Sequence, residues 1–314
     1  FLTFLFLLIF SNQQANAGCK VDNNLYNIGG RAGSGVTAVV QANGYIYNNI
    51  LKNWDNEGDG DDVSTCDVSQ ITNFGNAFYN QTSFNDDISS WDTSSAVYMP
   101  NMFYNNTSFN RDISGWDTSS VINFRSMFAR ASAFNQNINS WDTSSATDMQ
   151  TMFENASAFN GDISNWNVSN VINFDGTFQF ASAFNQNISS WDTSSAVNMS
   201  NMLSYTPAFN QNISGWDTSS VTNFNYIFAF ATAFNQDIFS WDTSSMSSWN
   251  GMFKNATQML STYSDIISSN GTPTANAFDT SPTLSSSTPA DNATNVVKDG
   301  TIVLNFSENV VVGS

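Results

Sequence analysis

The chain has 314 residues and a net charge of −18, which comes from 26 acidic and 8 basic residues. This charge excludes a nucleic-acid-binding role built on phosphate contacts, because such contacts need clustered lysine and arginine side chains. The sequence contains no histidine, which excludes every histidine-dependent nucleophile, general base or zinc site.

The N-terminus has the pattern of a secretory signal peptide. An apolar run over residues 1–10 is followed by polar residues and the small-residue pattern Ala15-Asn16-Ala17. The run is too short to span a membrane, and its position and flanks favour a cleaved signal over a buried helix. We therefore predict a signal peptide over residues 1–17 and a secreted or cell-surface protein.

The chain has two cysteines, Cys19 and Cys66. An oxidising compartment favours their pairing, so we predict a disulfide between them that secures the N-terminal end of the structure. Lipidation of Cys19 is the alternative, although Asn16 stands three residues earlier, where an aliphatic residue is usual. Residues 18–58 are expected to form an N-terminal capping segment.

An acidic, glycine-rich stretch from Asp55 to Asp62 precedes the regular part of the chain. Its carboxylates are ligands that calcium accepts. An EF-hand counted from Asp55 needs glutamate at its last position, where Cys66 stands, so an ordinary solvated turn is the favoured interpretation and calcium binding stays open.

Residues 59–267 are organised by two apolar columns, each of which recurs every 25 residues. The shared period predicts a stacked array of about eight units, in which each unit covers the apolar side of its neighbours. The tryptophan column comprises Trp91, Trp116, Trp141, Trp166, Trp191, Trp216 and Trp241, and the phenylalanine column comprises Phe84, Phe109, Phe134, Phe159, Phe184, Phe209 and Phe234.

One unit illustrates the predicted elements. Its apolar residues stand at positions 121, 124, 127, 128, 131 and 134, and these spacings of three and four predict a helix that begins near Ser119 or Ser120. The turn-rich segment 135–141 predicts a short strand that pairs in parallel with its neighbours at roughly 4.8 Å. The predicted fold is an α/β solenoid of strand–helix units with a parallel sheet.

An asparagine follows each phenylalanine of the second column, at Asn85, Asn110, Asn135, Asn160, Asn185, Asn210 and Asn235. We favour stacked amides that bond the turn backbone and link neighbouring units. A glycan-binding ladder is the alternative.

Two further polar columns follow the tryptophans. For the aspartates we favour caps of the following helix over a calcium ladder, and for the threonines caps over an exposed hydroxyl lattice that binds ice. The columns are Asp92, Asp117, Asp142, Asp192, Asp217 and Asp242, with Asn167 in the gap, and Thr93, Thr118, Thr143, Thr193, Thr218 and Thr243.

The array is expected to end near residue 267, because Met259 and Ile266 replace the phenylalanine and the tryptophan of the columns. Residues 268–281 have the Ser, Thr, Gly and Pro content of a linker. Residues 282–314 contain an apolar strand, Thr301–Phe306, and are too short to close a core. We expect them to be part of a longer module.

The unit at residues 184–195, Phe-Asn-Gln-Asn-Ile-Ser-Ser-Trp-Asp-Thr-Ser-Ser, with Met-Ser-Asn-Met at 199–202, resembles the BspA-type leucine-rich-repeat surface proteins. The resemblance spans roughly residues 60 to 265. It implies a leucine-rich-repeat-like array on a secreted or surface-exposed protein, with adhesive or host-binding roles in some relatives.

The tail is similar to the opening of SbsA-type bacterial immunoglobulin-like domains, through Ser-Thr-Pro-Ala-Asp-Asn-Ala at 287–293 and Phe-Ser-Glu-Asn at 306–309. Such modules commonly act as spacers in large surface proteins, which supports the same location. The resemblance implies a partial Ig-like domain at residues 282–314.

No serine or aspartate stands out from its column as a unique catalytic residue, so we expect no enzyme, no cofactor and no metal site. We expect a binding or adhesion module whose partner is a protein or glycan on a cell surface. A structural spacer is the alternative, and ice binding a third. Binding predicts that positions departing from the repeat, such as Tyr98, Arg125, Asp148, Tyr226 and Trp249, share one side of the array.

Overall fold

The computed structural model describes residues 68–274, 277 and 278, and the backbone of 284–288 and 303–306. The predicted signal peptide, the capping segment, the Asp55–Asp62 loop and the Cys19–Cys66 disulfide lie outside these residues. The described regular elements are one helix, α1 (Thr257–Thr262), and two strands, β1 (Leu284–Thr288) and β2 (Val303–Phe306).

Strands β1 and β2 form a two-stranded antiparallel sheet. Its register shifts between Leu284 and Ser286, where the pairing is irregular. β2 lies within the strand predicted at Thr301–Phe306. No helix among the described residues has the length and apolar character that crossing a bilayer requires.

From residue 68 the chain winds in coils that repeat every 25 residues. Neighbouring coils share one isolated parallel β-bridge. One residue of each coil takes part in this bridge, so no extended strand forms within residues 68–248. The predicted parallel sheet is therefore wrong. The bridged residues are Asn73, Tyr98, Asn123, Asp148, Asn173, Asn198, Asn223 and Ser248.

The predicted helices are wrong as well, because overlapping turns occupy the segment that follows each bridge. Every second amide of this segment bonds within its own coil, as Met127 N does to Phe124 O at 3.0 Å. The amides between them bond to the next coil, as Phe128 N does to Met152 O at 2.8 Å. An α-helix keeps all of these hydrogen bonds within one segment. The strand–helix unit and the leucine-rich-repeat-like fold are thus not what the chain adopts.

The turns form because two residues in each coil adopt the left-handed conformation, such as Ser126 with φ 53° and Arg130 with φ 62°. A left-handed residue interrupts a right-handed helix and rotates the neighbouring peptide groups toward the adjacent coil. The residues with positive φ other than glycine are Asn76, Asn80, Asn101, Asn105, Ser126, Arg130, Thr151, Asn155, Phe180, Asn201, Tyr205, Tyr226, Phe230 and Asn255.

Stacked aromatic rings fill the interior, as the two apolar columns predict. Neighbouring tryptophans lie nearly parallel, with 6.3 Å between the ring centroids of Trp166 and Trp191. Phe159 and Phe184 stack in the same way at 6.1 Å. The tryptophans of the column are at most 5% exposed, so the two columns form a continuous dry core.

Each indole also ties its coil to the preceding one by a hydrogen bond. Trp191 Nε1 donates to Ile163 O at 3.2 Å, and the same carbonyl accepts the backbone amide of Trp166. Both lone pairs of a buried carbonyl are thereby used. The equivalent bonds occur at Trp116, Trp141, Trp166, Trp216 and Trp241.

The C-terminal end of the stack is closed by residues that follow the last coil. Phe253 N donates to Gly271 O at 2.7 Å, and the ring of Trp249 lies 5.4 Å from that of Phe278. Gly271 has φ 79°, and a Cβ at this position would approach Lys254 N to 2.2 Å. Part of the segment predicted as a linker therefore packs against the array.

We predict that Trp191→Ala lowers the free energy of unfolding by about 3–5 kcal/mol, because it leaves a cavity between two neighbouring indoles. Trp249→Ala serves as the control, since this ring is partly exposed and stacks on no other tryptophan. Chemical denaturation monitored by circular dichroism measures both changes. Equal losses in the two variants would contradict the central role of the indole stack.

We predict that Gly176→Ala destabilises the protein by about 1–2 kcal/mol, because Gly176 has φ 62° and a left-handed alanine is strained. The added Cβ would also lie 3.1 Å from Thr151 Cγ2. Gly115→Ala is the matched control, since its Cβ would meet nothing within 4 Å and we expect stability unchanged or slightly raised. Thermal denaturation of the two variants tests the difference.

Candidate binding surface

The polar columns form Asx turns, in which a side-chain oxygen accepts the amide two residues ahead. Asp142 Oδ1 accepts Ser144 N at 2.9 Å. Asn167 accepts Ser169 N in the same way at 3.1 Å, which explains why asparagine replaces aspartate in this column. The aspartates therefore cap turns, and the prediction that they cap helices is wrong.

Two further Asx turns occur in each typical coil. Asn137 Oδ1 accepts Asn139 N at 3.0 Å, and Asp148 Oδ1 accepts Gln150 N at 2.9 Å. Because these turns satisfy exposed amides at three corners of the coil, the repeated Asp and Asn side chains serve the backbone. They are poor candidates for catalytic groups.

The asparagine column forms a ladder along the array. Asn135 N donates to Asn110 Oδ1 at 2.9 Å, and Asn160 N donates to Asn135 Oδ1 at 2.7 Å. The same bond joins the other neighbours in the column, from Asn85 to Asn235. The stacked-amide interpretation is confirmed. The ladder ends at Asn235 Oδ1, a buried oxygen without a partner.

Five of the six threonines of the column, all but Thr243, face inward. Thr118 is 1% exposed, and its Oγ1 donates to Asp142 O in the next coil at 2.9 Å. The same bond is made by Thr93, Thr143, Thr193 and Thr218. These hydroxyls link coils rather than cap helices, and they form no lattice toward solvent. The column thus gives an ice-binding surface no support.

A shallow polar groove of about 510 Å³ crosses neighbouring coils. Polar side chains of the groove take part in bonds between coils, since Asn139 Nδ2 donates to Asp162 Oδ2 at 3.0 Å and Ser140 Oγ donates to the backbone carbonyl of Ser114 at 2.6 Å. The lining residues are Asp112, Ser114, Gln136, Asn137, Asn139, Ser140 and Asn165.

Charge is distributed unevenly around the coils. We define the aromatic face as residues 72–80, 97–105, 122–130, 147–155, 172–180, 197–205, 222–230 and 247–255, and the acidic face as the segments between them. The aromatic face carries three basic and three acidic residues, Arg125, Arg130, Lys254, Asp148, Glu154 and Asp175, and has no net charge. The acidic face carries one arginine, Arg111, and eleven aspartates.

Exposed apolar side chains lie on the aromatic face. All six large apolar residues that are exposed among those described belong to it, and five of them fall within three consecutive coils. Tyr205 and Phe180 are 37% exposed and Ile172 is 50% exposed. The set comprises Tyr98, Ile172, Phe180, Val197, Tyr205 and Tyr226.

The positions that depart from the repeat also gather on this face. Tyr98 and Asp148 occupy the bridge position of their coils, and Arg125 and Tyr226 follow that position closely. Trp249 belongs to the same segment, although its ring is partly buried. The structure therefore places these five residues on one side of the array, as a binding module predicts and a spacer does not require.

Phe180, Tyr205 and Phe230 are not among the residues predicted from the sequence. A signal was present, because four of the other five residues in this column are asparagine and one is arginine. The column keeps its 25-residue spacing at these three positions. The aromatic residues therefore indicate a different role for the side chain and not a shift of the repeat.

The structure assembles no metal site within residues 68–274, since no group of three or more Asp, Glu, His or Cys side chains comes together there. The candidate disulfide residues Cys19 and Cys66 are outside the described part of the chain. The candidate site is therefore a surface, namely the aromatic face.

Comparison with known protein families gives two matches. The family described as Mycoplasma protein of unknown function, DUF285, matches residues 47–164, 137–211 and 188–289. The family described as bacterial Ig-like domain matches residues 279–314. Searches of curated proteins and of solved structures gave no match.

The Asx turns predict an acid-sensitive stability. Hydrogen bonds from the Ser144 side chain and backbone hold the pKa of Asp142 below its ordinary value, and the equivalent serines do the same at Asp92, Asp192 and Asp242. A carboxylate with a lowered folded pKa stabilises the fold above its unfolded pKa, and this contribution is lost as pH falls through the folded value. We expect the thermal midpoint to decrease when the pH is lowered below about 4.

The substitution of all four aspartates by asparagine should reduce this fall, because the amide keeps the acceptor oxygen and does not titrate. Asp142→Ala is the control, since it removes the acceptor and should lower the midpoint at pH 7 as well. Circular dichroism melts at pH 7 and pH 3 measure both effects. An unchanged acid response in the fourfold variant would refute the assignment.

Proposed function

We propose that this chain, which belongs to the family described as Mycoplasma protein of unknown function, DUF285, is a non-catalytic binding module of a secreted or cell-surface protein. The observation that carries the proposal is the separation of an aromatic face without net charge from an acidic face. Exposed aromatic clusters on soluble proteins commonly mark interaction sites.

The use of the repeated polar side chains supports a role without catalysis. Aspartate, asparagine and threonine columns are engaged in turns and inter-coil bonds, as at Asp142, Asn110 and Thr118. A catalytic centre needs side chains that face the substrate and whose pKa values suit the reaction. The residues that vary between coils, such as Tyr98, Arg125 and Tyr226, are instead suited to contact a partner.

The proposed location depends on the N-terminal signal-peptide pattern and on the likeness to BspA-type surface proteins. We extend the Ig-like match at residues 279–314 to the SbsA-type modules that the sequence resembles. On this proposal the partner is a protein or glycan on a cell surface.

A structural spacer is the second candidate. The Ig-like match favours it, because a chain that combines a rigid stack with such modules holds other parts of a surface protein at a distance. A spacer needs no exposed aromatic cluster, and this is the feature by which the two candidates differ.

We predict that the purified full chain binds a limited set of ligands on printed arrays of glycans and of extracellular protein domains. Tyr205→Asn combined with Tyr226→Asn should weaken binding by at least about tenfold, because both rings lie on the aromatic face. The control is Asp112→Asn combined with Asp117→Asn on the acidic face, which should retain binding.

Mass spectrometry of the bound ligands should show no chemical change. A chain that binds nothing on either array would favour the spacer, and loss of binding in the acidic-face variant alone would place the site elsewhere.

A further inference from the structure

One part of the aromatic face has the composition of a docking site, and its assignment rests on the proposed binding function. We call it the 172–230 patch and define it as Ile172, Phe180, Val197, Tyr205, Tyr226 and Phe230. It holds five of the six exposed large apolar residues of the described array, on three consecutive coils. Such a concentration of exposed apolar side chains in neighbouring coils is unusual on an otherwise polar surface.

Three rings of the patch form a column of their own. The ring centroids of Phe180 and Tyr205 are 4.3 Å apart, and those of Tyr205 and Phe230 are 4.1 Å apart, in stacked geometry. Because both faces of the Tyr205 ring are covered by its neighbours, the ring edges are what remains exposed. A partner therefore contacts a ridge of ring edges, which carry the positive end of the ring quadrupole.

The backbone at these rings is strained. Phe180, Tyr205 and Phe230 have φ of 62°, 58° and 61°, a region unfavourable for bulky residues. Asn80, Asn105, Asn155 and Asn255 occupy the same position in other coils, and asparagine tolerates this conformation. The aromatic residues each cost the fold about 1 kcal/mol relative to that choice. Strain retained at exposed positions points to a role outside the fold.

Charge around the patch indicates the chemistry of the partner. Within its three coils the aromatic face has one charged residue, Asp175, which accepts hydrogen bonds from Ser200 Oγ at 2.6 Å and Gln150 Nε2 at 3.1 Å. Val197 and Thr222 are the first residues of two segments of the aromatic face. The exposed carboxylates of Asp192 and Asp217 stand five residues before them. The apolar side chains thus follow two exposed carboxylates along their coils, and we call Asp192 and Asp217 the acidic margin of the patch.

We propose that the 172–230 patch docks a polypeptide segment that presents aromatic or aliphatic side chains flanked by lysine or arginine. Apolar groups bury the ring edges, while the basic groups pair with the acidic margin and speed the encounter. A second copy of this chain fits less well, since each copy carries a net charge of −18. A sugar ring packs on an aromatic face, and both faces of Tyr205 are already covered.

The test uses the full chain and two short fluorescent peptides of alternating phenylalanine and serine, one with two lysines at each end and one with two glutamates. Fluorescence anisotropy should show binding of the lysine peptide and at least about tenfold weaker binding of the glutamate peptide. Affinity for the lysine peptide should fall at about 0.5 M salt, because the margin is screened.

The decisive variant is Phe180→Asn combined with Tyr205→Asn and Phe230→Asn, which places in all three coils the residue found elsewhere in the column. It should lose peptide binding by at least about tenfold, while its thermal midpoint stays within about 4 °C of the parent because strain is relieved as stacking is lost. Phe239→Ser is the matched control, since it replaces an aromatic residue of the acidic face by the residue most common in its column and should leave binding intact.

Tyr205→Asn alone provides the same comparison if the triple variant does not fold. Equal binding of both peptides, or binding that survives the ring substitutions, would overturn the proposal. Binding of an uncharged oligosaccharide in place of both peptides would also overturn it and would leave the broader binding function standing. Self-association by ultracentrifugation that disappears in the triple variant would assign the patch to a second copy instead.

Discussion

The structure depends on the contact between one indole and the coil before it. A tryptophan ring lies on the ring below and donates its Nε1 hydrogen to an isoleucine carbonyl, as Trp166 does to Ile138 O at 3.0 Å. The stacking buries a large apolar area, and the hydrogen bond sets both the height and the rotation of one coil on another. A smaller ring keeps neither the area nor the donor, and a shifted period places the donor away from its acceptor.

With tryptophans spaced 25 residues apart, the backbone amide and carbonyl groups between them find hydrogen-bond partners without long strands or helices. Amides bond alternately within a coil and to the next coil, and left-handed residues such as Ser126 and Arg130 make the alternation possible. Buried peptide groups must find partners, and this arrangement supplies them from two directions. The asparagine ladder and the inward threonines add further bonds between coils. Regularity in this protein therefore resides between coils rather than along the chain.

The need for every coil to bond to its neighbours also limits which side chains can bind a ligand. A side chain that repeats in every coil is engaged by its neighbours above and below, so it cannot serve one ligand without weakening the stack. Freedom is left at outward positions of the segment that contains the bridge, where tyrosine, arginine, aspartate and phenylalanine alternate with asparagine. Exposed rings at Phe180 and Tyr205 are compatible with the stack, although their backbone conformation is unfavourable. The proposed binding function would account for both their exposure and their strain.

The sequence alone determined the 25-residue period, the dry aromatic columns and the stacked asparagines, because each follows from which residue types recur in step. It did not determine the local backbone. Apolar residues such as Phe124, Met127, Phe128 and Ala131 have helical spacing, yet three overlapping turns place the same positions inside.

Only the tertiary structure decided between turns and helix, because the deciding hydrogen bonds join residues 24 positions apart, as in Phe128 N to Met152 O. The recurrent Asn and Gly at positions such as 76, 101, 176 and 251 were a local sign of left-handed residues. The separation of an aromatic face from an acidic face was likewise not evident from the sequence. Tyr98 and Phe180 are far apart in sequence, and they share a face because the coils stack in register.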